Sequence, residues 1–437
     1  MIRTWGIRRE DKNKWEKRVP LVPQDLKKLS LGHPGHTLLV QPSPIRIFPE
    51  DQFAAAGATI QEDLSACDLI MGVKEMPISI FQPEKTYFFF SHTLKGQPHN
   101  MPMLKRLIEL KCDLLDYERI VDDKGRRLVF FGRYAGLAGM IDTLWAFGQR
   151  LKEEGLKTPF ASVKLAHEYS SLEAAKEAIR AIGREIEKNG LPTSMPPMVV
   201  GFTGYGNVSK GAQEIFDLLP HQVIAPADLL QKKGRDLPHT KIGKVVYHEE
   251  HTVKIKGAKT SFDLQDYFKH PGNYESIFRP HLDLLTILVN CIYWSPEAPR
   301  VMTKQDVAEI WKPGTEPQLK VIGDISCDID GGIEFTMKET QPDDPVYTYD
   351  PKSRAITMGV KGHGPVVMAV DNLPCELSAE ASHDFSKALM PFMPDLLEMK
   401  PHVSFAQCNL PKPLLKAMIL WRGELTPDFA YLKNHVK

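Results

Sequence analysis

The stretch VVGFTGYGNVSKGAQEIFDLL, residues 199–219, constrains this chain more than any other. An apolar run reads as a buried strand, and an amphipathic run reads as a helix. TGYG between them is too rich in glycine for regular structure. A strand, a tight glycine turn and a helix in that order make the phosphate-binding corner of a dinucleotide fold. There, backbone N–H groups and the positive end of the helix meet a pyrophosphate. Gly204 and Gly206 supply the turn, and Asn207 and Val208 open the helix. Ser209 stands where a third glycine is usual and is small enough for close packing. The alternative is a tight turn with no ligand.

A Rossmann-like corner at residue 200 of a 437-residue chain leaves room for a second unit before it. Before it, HTLLVQP, CDLIMGVKE, TYFFFSH and KCDLLDYE read as strands. PQDLKKLS, PEDQFAAAG and MPMLKRLIEL read as helices. Such alternation predicts βαβ units and a mainly parallel sheet. VDDKGRRLVFFG reads as a hairpin. GLAGMIDTLWAFGQRLKEEG reads as one helix ended by Gly155. A second helix has Ser170 and Glu173 at capping-box spacing and Gly190 at its end. After the glycine corner, HQVIAP, KVVYHEEHTV, LTILVNCIYW, LKVIGDISCDIDGG and GPVVMAVDNLP supply a second open sheet. A last helix, CELSAEASHDFSKALMPFMPDLLE, precedes a polar, irregular tail. The fold class is therefore α/β, with two Rossmann-like domains built on mainly parallel sheets.

Fifty-five basic residues balance fifty-five acidic ones, which argues against bulk attraction to nucleic acid or anionic membrane. The longest apolar run is too short to span a bilayer. Six scattered cysteines without a C-x-x-C pair predict neither a disulfide framework nor a zinc site. No secretory h-region opens the chain, so the expected location is the cytoplasm, with the mitochondrial matrix as alternative if a presequence has been removed.

Several polar residues stand where chemistry is done. Lys74 and His92 each follow an apolar strand run, and in an open parallel sheet those ends line the binding crevice. A lysine lowered in pKa by burial can be a general base, and histidine titrates near neutrality. Solvated lysine and packed histidine are the ordinary alternatives. Arg18, in EKRVPLVPQ, precedes a helix start. Arg127 enters a strand beside Arg126 and reads as a carboxylate fork or as surface charge. Asp324 ends a strand of the second sheet, within reach of nicotinamide or ribose, or caps a turn. HEEH at 248–251 invites a metal, but in β-like sequence its ends point to opposite faces, so no metal is expected. Ala225 ends HQVIAP, where dinucleotide folds reading NAD carry an acidic residue. With QKKGR (231–235) downstream as an anion partner, that leans to NADP.

As an ordered set, GIRREDKNKWEKRVPL, IMGVKEMP, FFFSHT, DDKGRRLVFFGRYAGLAGMIDTL, GYGNVSKGAQEIF, GDISCDIDGGIEF and VDNLPCELSAEASHDF resemble the lysine–2-oxoglutarate reductase portion of the aminoadipate semialdehyde synthases. Wider relatives are the lysine-forming saccharopine dehydrogenases, alanine dehydrogenase and the transhydrogenase nucleotide-binding subunit. The resemblance covers nearly the whole chain. It implies a substrate domain from 1–133 plus 373–437, a dinucleotide-binding domain from 134–372, and an active site in the cleft between them. It also implies reductive condensation of L-lysine with 2-oxoglutarate to saccharopine, with NADPH as the expected cofactor and NAD as the alternative. Lys74 and His92 then match the acid–base pair, Arg18 and Arg127 the arginines that hold substrate carboxylates, and Asp324 the aspartate near the nicotinamide. No metal is required. No second glycine motif follows, so a monofunctional reductase or an excised domain is expected, with saccharopine dehydrogenase as a fused or separate partner. Other readings are a lysine-forming saccharopine dehydrogenase, an alanine dehydrogenase, or a non-enzymatic nucleotide-sensing module. Oligomeric state has no signature in the sequence.

Overall fold

A computed structural model describes residues 3–232, 236–257, 262–400 and 403–436, without the Lys232 side chain. The chain divides into two compact units, Met1–Phe131 with Ser378–Lys437, and Gly132–Leu377. The expected boundaries lay at 133/134 and 372/373. Helix α4, Gly132–Glu153, begins the second unit, and an uninterrupted helix, Ser378–Leu389, begins the return to the first.

The first unit opens with strands β1 (Thr4–Ile7), β2 (Thr37–Val40), β3 (Thr59–Ile60), β4 (Leu69–Met71), β5 (Thr86–Phe88) and β6 (Asp113–Leu115). Helices α1 (Pro23–Gly32), α2 (Glu50–Ala55) and α3 (Met101–Glu109) connect them. Short runs such as Leu69–Met71 are apolar throughout because a parallel sheet is covered on both faces. The expected hairpin shrinks to a turn at 122–125 closed by one bridge, Val121 to Arg127. The Asp122 carboxylate accepts from the N–H groups of Lys124 and Arg126, which holds the turn without strands.

In the second unit, α4 is buried nearly all round. Helix α5 (Leu172–Asn189) buries Leu172, Ala175, Ile179, Ile182 and Ile186 as one stripe. Its cap is Ser171, whose side chain accepts from Ala174 N–H, rather than the expected Ser170. Then come β7 (Val199–Thr203), α6 (Asn207–Phe216), β8 (His221–Val223), α7 (Pro226–Lys232), β9 (Ile242–Tyr247) and α8 (Glu249–Thr252). A separate antiparallel pair, β10 (Val253–Ile255) and β11 (Tyr274–Ser276), precedes β12 (Ile287–Asn290) and β13 (Val321–Asp324). Strands β14 (Val346–Asp350), β15 (Ala355–Met358) and β16 (Val366–Met368) complete the sheet. Its order is β15-β14-β16-β13-β12-β7-β9-β8, parallel except at β14 and β15.

The tail expected to be irregular returns to the first unit with β17 (Met418–Trp421), buried throughout, and β18 (Glu424–Leu425). Five apolar residues between Lys416 and Arg422 are too short a run to stand out in a polar context. The first sheet reads β18-β17-β6-β5-β4-β1-β2-β3, with only β17 and β18 antiparallel. The helix expected over 375–398 is broken into four pieces, since Pro391 and Pro394 each remove an N–H donor.

Helices α4 and α6 touch through glycine. A Cβ on Gly136 would lie 1.9 Å from the Val208 carbonyl oxygen, and one on Gly211 would lie 2.1 Å from that of Arg133. Both positions are limited to glycine by backbone contact.

Candidate functional site

Each sheet contains a point between two parallel strands where the strand order reverses, and there the loops at the carboxyl ends of neighbouring strands diverge to leave a crevice. In the first unit the point lies between β1 and β4. Past β1 comes Glu10, buried, and past β4 come Val73, Lys74 and Glu75. The Val73 and Lys74 N–H groups donate to the Glu10 carboxyl at 2.6 and 3.0 Å, so Glu10 pins the loop that carries Lys74. Burial, with the nearby Glu16 charge, pushes the Glu10 carboxyl up to about 7. The half-buried Lys74 ammonium has no hydrogen-bond or ion-pair partner among the described residues.

His92 follows β5, the next strand, with φ +48°. Left-handed backbone at a non-glycine residue costs energy and is concentrated at functional sites. Its Nδ1 lies 2.6 Å from Glu75, which also takes Lys12 Nζ at 2.9 Å. Burial alone would raise the Glu75 carboxyl, but the bonds and charges of His92 and Lys12 outweigh it and hold Glu75 well below the usual carboxylate range. An ionised Glu75 fixes the proton on His92 Nδ1 and leaves Nε2 as the atom for proton exchange. The sequence singled out Lys74 and His92 but missed Glu75 and Glu10; Glu75, adjoining a strand-end lysine, was the available signal.

Glu75→Gln is expected to slow turnover about 10- to 100-fold. The amide no longer fixes the proton on His92 Nδ1, so turnover falls while dinucleotide affinity stays unchanged. A turnover rate within twofold of the unaltered protein would separate Glu75 from the chemistry.

Arg18 is buried and grips Glu16 with two bonds of 2.7 and 2.5 Å, its guanidinium 4.2 Å above the Phe131 ring. Phe131 touches Phe90, and Phe90 stacks on His92, which ties Arg18 to the same end of the sheet. Arg127 is exposed and paired with Glu118, just beyond β6. Among the described residues, its hydrogen bonds and ion pairs do not reach Lys74 or His92.

In the second unit the reversal lies between β7 and β12. Gly204 has φ +84°, and a Cβ there would also strike Ile292 at 2.9 Å, so only glycine fits. Gly206 caps α6, and a Cβ on it would meet nothing within 4 Å. The open space before Gly206, Asn207 and Val208 faces unpaired first-turn N–H groups and fits a pyrophosphate. A cavity of about 470 Å³ continues from this turn between residues 247–252, 267–271 and 291–301. These residues suit a nicotinamide dinucleotide.

Asp324, at the end of β13, is buried with both oxygens engaged: Asn290 Nδ2 donates at 2.8 Å, and Thr336 Oγ1 at 2.5 Å. Burial pushes it up to about 6 against those bonds. It does not line the cavity.

Two readings of the sequence change. HEEH is not β: β9 ends at Tyr247, His248 caps α8, and the motif turns away from the sheet. HQVIAP forms β8 at the sheet edge, and β9 lies between it and β7. Ala225 therefore does not follow the strand beside the glycine corner, and the lean to NADP drawn from it loses its ground. Residues 233–235 of QKKGR lie outside the described residues. Among the described residues, His33, His36 and Glu398 form one group with metal-ligand spacing, their ligand atoms within 4.8 Å. It lies at the start of β2, not at the carboxyl ends.

The two sheets, each with helices on its faces, share their fold with alanine dehydrogenase. Residues 6–138 match the family described as alanine dehydrogenase/PNT, N-terminal domain. A solved L-alanine dehydrogenase shares the fold over 99% of this chain with TM-score 0.62 at 16% identity. The transhydrogenase from Sinorhizobium meliloti does so over 97%, with TM-score 0.57 at 14% identity. In sequence, the chain is similar to the alpha-aminoadipic semialdehyde synthases. It is 40% identical to that of Arabidopsis thaliana over 98% of this chain and 41% of that protein. The mitochondrial synthase of Bos taurus is 36% identical over 98% of this chain and 47% of its own length. The chain thus spans under half the length of these relatives. Saccharopine dehydrogenase [NAD(+), L-lysine-forming] of Emericella nidulans is 28% identical over 88% of this chain and 89% of that protein.

Proposed function

We propose that this protein condenses L-lysine with 2-oxoglutarate and reduces the product to saccharopine, as a lysine–2-oxoglutarate reductase of lysine degradation. The observation that carries the proposal is the unpaired Lys74 ammonium beside the Glu75–His92 couple at one sheet reversal. Similarity to the synthases over nearly the whole chain supports the choice of substrates.

The chemistry asks for two proton-transfer groups. The ε-amine of the substrate must lose a proton before it attacks the keto carbon, and the carbinolamine oxygen must gain one to leave as water. Lys74 in its neutral form takes the first proton, and His92, held by Glu75, delivers the second from Nε2. Saccharopine carries three carboxylates. Arg18 and Arg127 are assigned two of them, each exchanging or sharing its present carboxylate partner, Glu16 or Glu118, with substrate. A nicotinamide dinucleotide on the Gly204–Val208 corner supplies the hydride that reduces the imine carbon; Asp324 is assigned a place near the nicotinamide. No described helix is long and apolar enough to cross a membrane. The six cysteines are all free thiols.

The test is oxidation of reduced nicotinamide nucleotide, followed by its near-ultraviolet absorbance. The rate is expected to require lysine and 2-oxoglutarate together and to fall to background when either is omitted. Equal turnover with ammonia and pyruvate would assign an alanine dehydrogenase instead, and turnover only from saccharopine with NAD would favour the lysine-forming enzyme.

A further inference from the structure

His33, Pro34, Gly35 and His36 make the turn between α1 and β2. Proline and glycine at its two central positions favour a tight turn, and His36 N–H donates back to the His33 carbonyl at 3.2 Å. The turn brings the two imidazoles together, with ring centroids 5.8 Å apart and an interplanar angle of 77°. The chain returns to this place 362 residues later, where His36 Nε2 lies 3.4 Å from the Glu398 carboxylate. Glu398 follows a helical turn, Met393–Leu397, whose Met393, Leu396 and Leu397 are buried. The Asn409 side chain donates to the Glu398 carbonyl at 3.3 Å and helps to fix the segment. Ligand atoms of His33, His36 and Glu398 all lie within 4.8 Å of one another. Among the described residues, none of the three side chains hydrogen-bonds or ion-pairs outside the group, and the buried Nδ1 of His36 has no hydrogen-bond partner.

We infer that His33, His36 and Glu398 bind a divalent transition-metal ion, zinc in the first place, which clips the returning chain onto the first unit. Two imidazoles and one carboxylate suit zinc, whereas magnesium and calcium take oxygen ligands. The spacing fits a shared ion better than a direct ion pair. With metal–ligand bonds of about 2.0–2.1 Å, neighbouring ligand atoms of a tetrahedron stand about 3.3 Å apart, and the His36–Glu398 pair stands at 3.4 Å. A charge-assisted hydrogen bond contracts to about 2.7–2.9 Å, as the His92–Glu75 pair of the same unit does at 2.6 Å. His33 completes the set by swinging inward at most about 1.5 Å, the 4.8 Å limit less that tetrahedral edge. The His36 side chain is 6% exposed and that of Glu398 44%. The protein therefore covers one side of the ion and leaves its fourth position to water on the other. The site lies at the start of β2 and does not rest on the proposed reaction. Its effect is on the fold, because a bridge closing so long a loop removes chain entropy from the unfolded state.

The test is calorimetric titration of the full chain, first stripped with a chelator, with zinc chloride, beside the visible absorption of the chain loaded with cobalt(II). One ion per chain is expected, with the cobalt bands of a tetrahedral nitrogen–oxygen site, and a large excess of magnesium should displace neither. Glu398→Gln, at the open side of the site, and His33→Asn should each weaken zinc binding by about 100-fold or more, beyond what loss of an outer partner costs. Zinc at about one hundred times its dissociation constant should raise the melting temperature of the unaltered chain by about 5–10 °C and leave that of Glu398→Gln unmoved. Failure of the unaltered chain to bind zinc overturns the inference. So does equal affinity in Glu398→Gln and His33→Asn proteins that melt normally without zinc, since the ion then sits elsewhere. Displacement by magnesium overturns the class of ion. Zinc held by these residues with no rise in melting temperature defeats the clip alone.

Discussion

Replacing Lys74 with methionine is expected to lower turnover about 10³-fold while nucleotide affinity stays within twofold of the unaltered protein. Methionine keeps the length and apolar stem of the side chain but cannot carry a proton. The loop itself should not move, because Glu10 holds it through the backbone N–H groups of Val73 and Lys74. Two readouts are needed. Turnover with saturating lysine and 2-oxoglutarate reports the proton transfer, and calorimetric titration with dinucleotide reports the second unit. A turnover rate within tenfold of the unaltered enzyme would remove Lys74 from the mechanism. Joint loss of turnover and nucleotide binding would point to damaged folding instead.

Gly211→Val is expected to be the most damaging single change in the second unit. Its Cβ would sit 2.1 Å from the Arg133 carbonyl oxygen, and the obstacle is backbone, which no rotamer change relieves. Helices α4 and α6 must then separate, at a cost of at least about 3 kcal/mol. For a unit of this size that lowers the melting temperature by about 6–12 °C. Since the proposed pyrophosphate site lies at the first turn of α6, dinucleotide affinity should fall together with stability. A variant that melts normally and binds normally would show that the two helices slide apart freely, contrary to the packing described. Gly206→Ala makes the matched control: a methyl there meets nothing, so stability should hold while affinity falls.

How much of this was legible beforehand depended on whether the signal was local. The β7–α6 corner was legible because strand, glycines and helix are contiguous. The placement of Lys74 and His92 just past strands was legible because each follows an apolar run. The Glu75–His92 contact joins residues 17 apart across adjacent strands, and nothing in either segment alone announces it. The β8–β9 exchange is a matter of which strand pairs with β7. Both runs have strand character, and only the packed sheet chooses between them. HEEH misled because two histidines flanking two glutamates form a one-turn helix as readily as a strand. Four buried residues at Met418–Trp421 escaped because a short apolar run becomes a strand only when a partner edge awaits it.

That partner edge is β6, some three hundred residues earlier, and a similar span separates Val19 N–H from the Ser382 hydroxyl it donates to. During synthesis the first unit therefore cannot finish its sheet until the last part of the chain has left the ribosome. Meanwhile the second unit, contiguous from 132 to 377, is free to complete its fold. In that interval β6 stands as an open edge with apolar neighbours, the kind of surface that invites pairing with another chain. Folding of the acid–base crevice is thus late and nonlocal, and that of the nucleotide corner early and local. Loss of residues 418–425 would leave the sheet that carries Lys74 and His92 with β6 as an open edge.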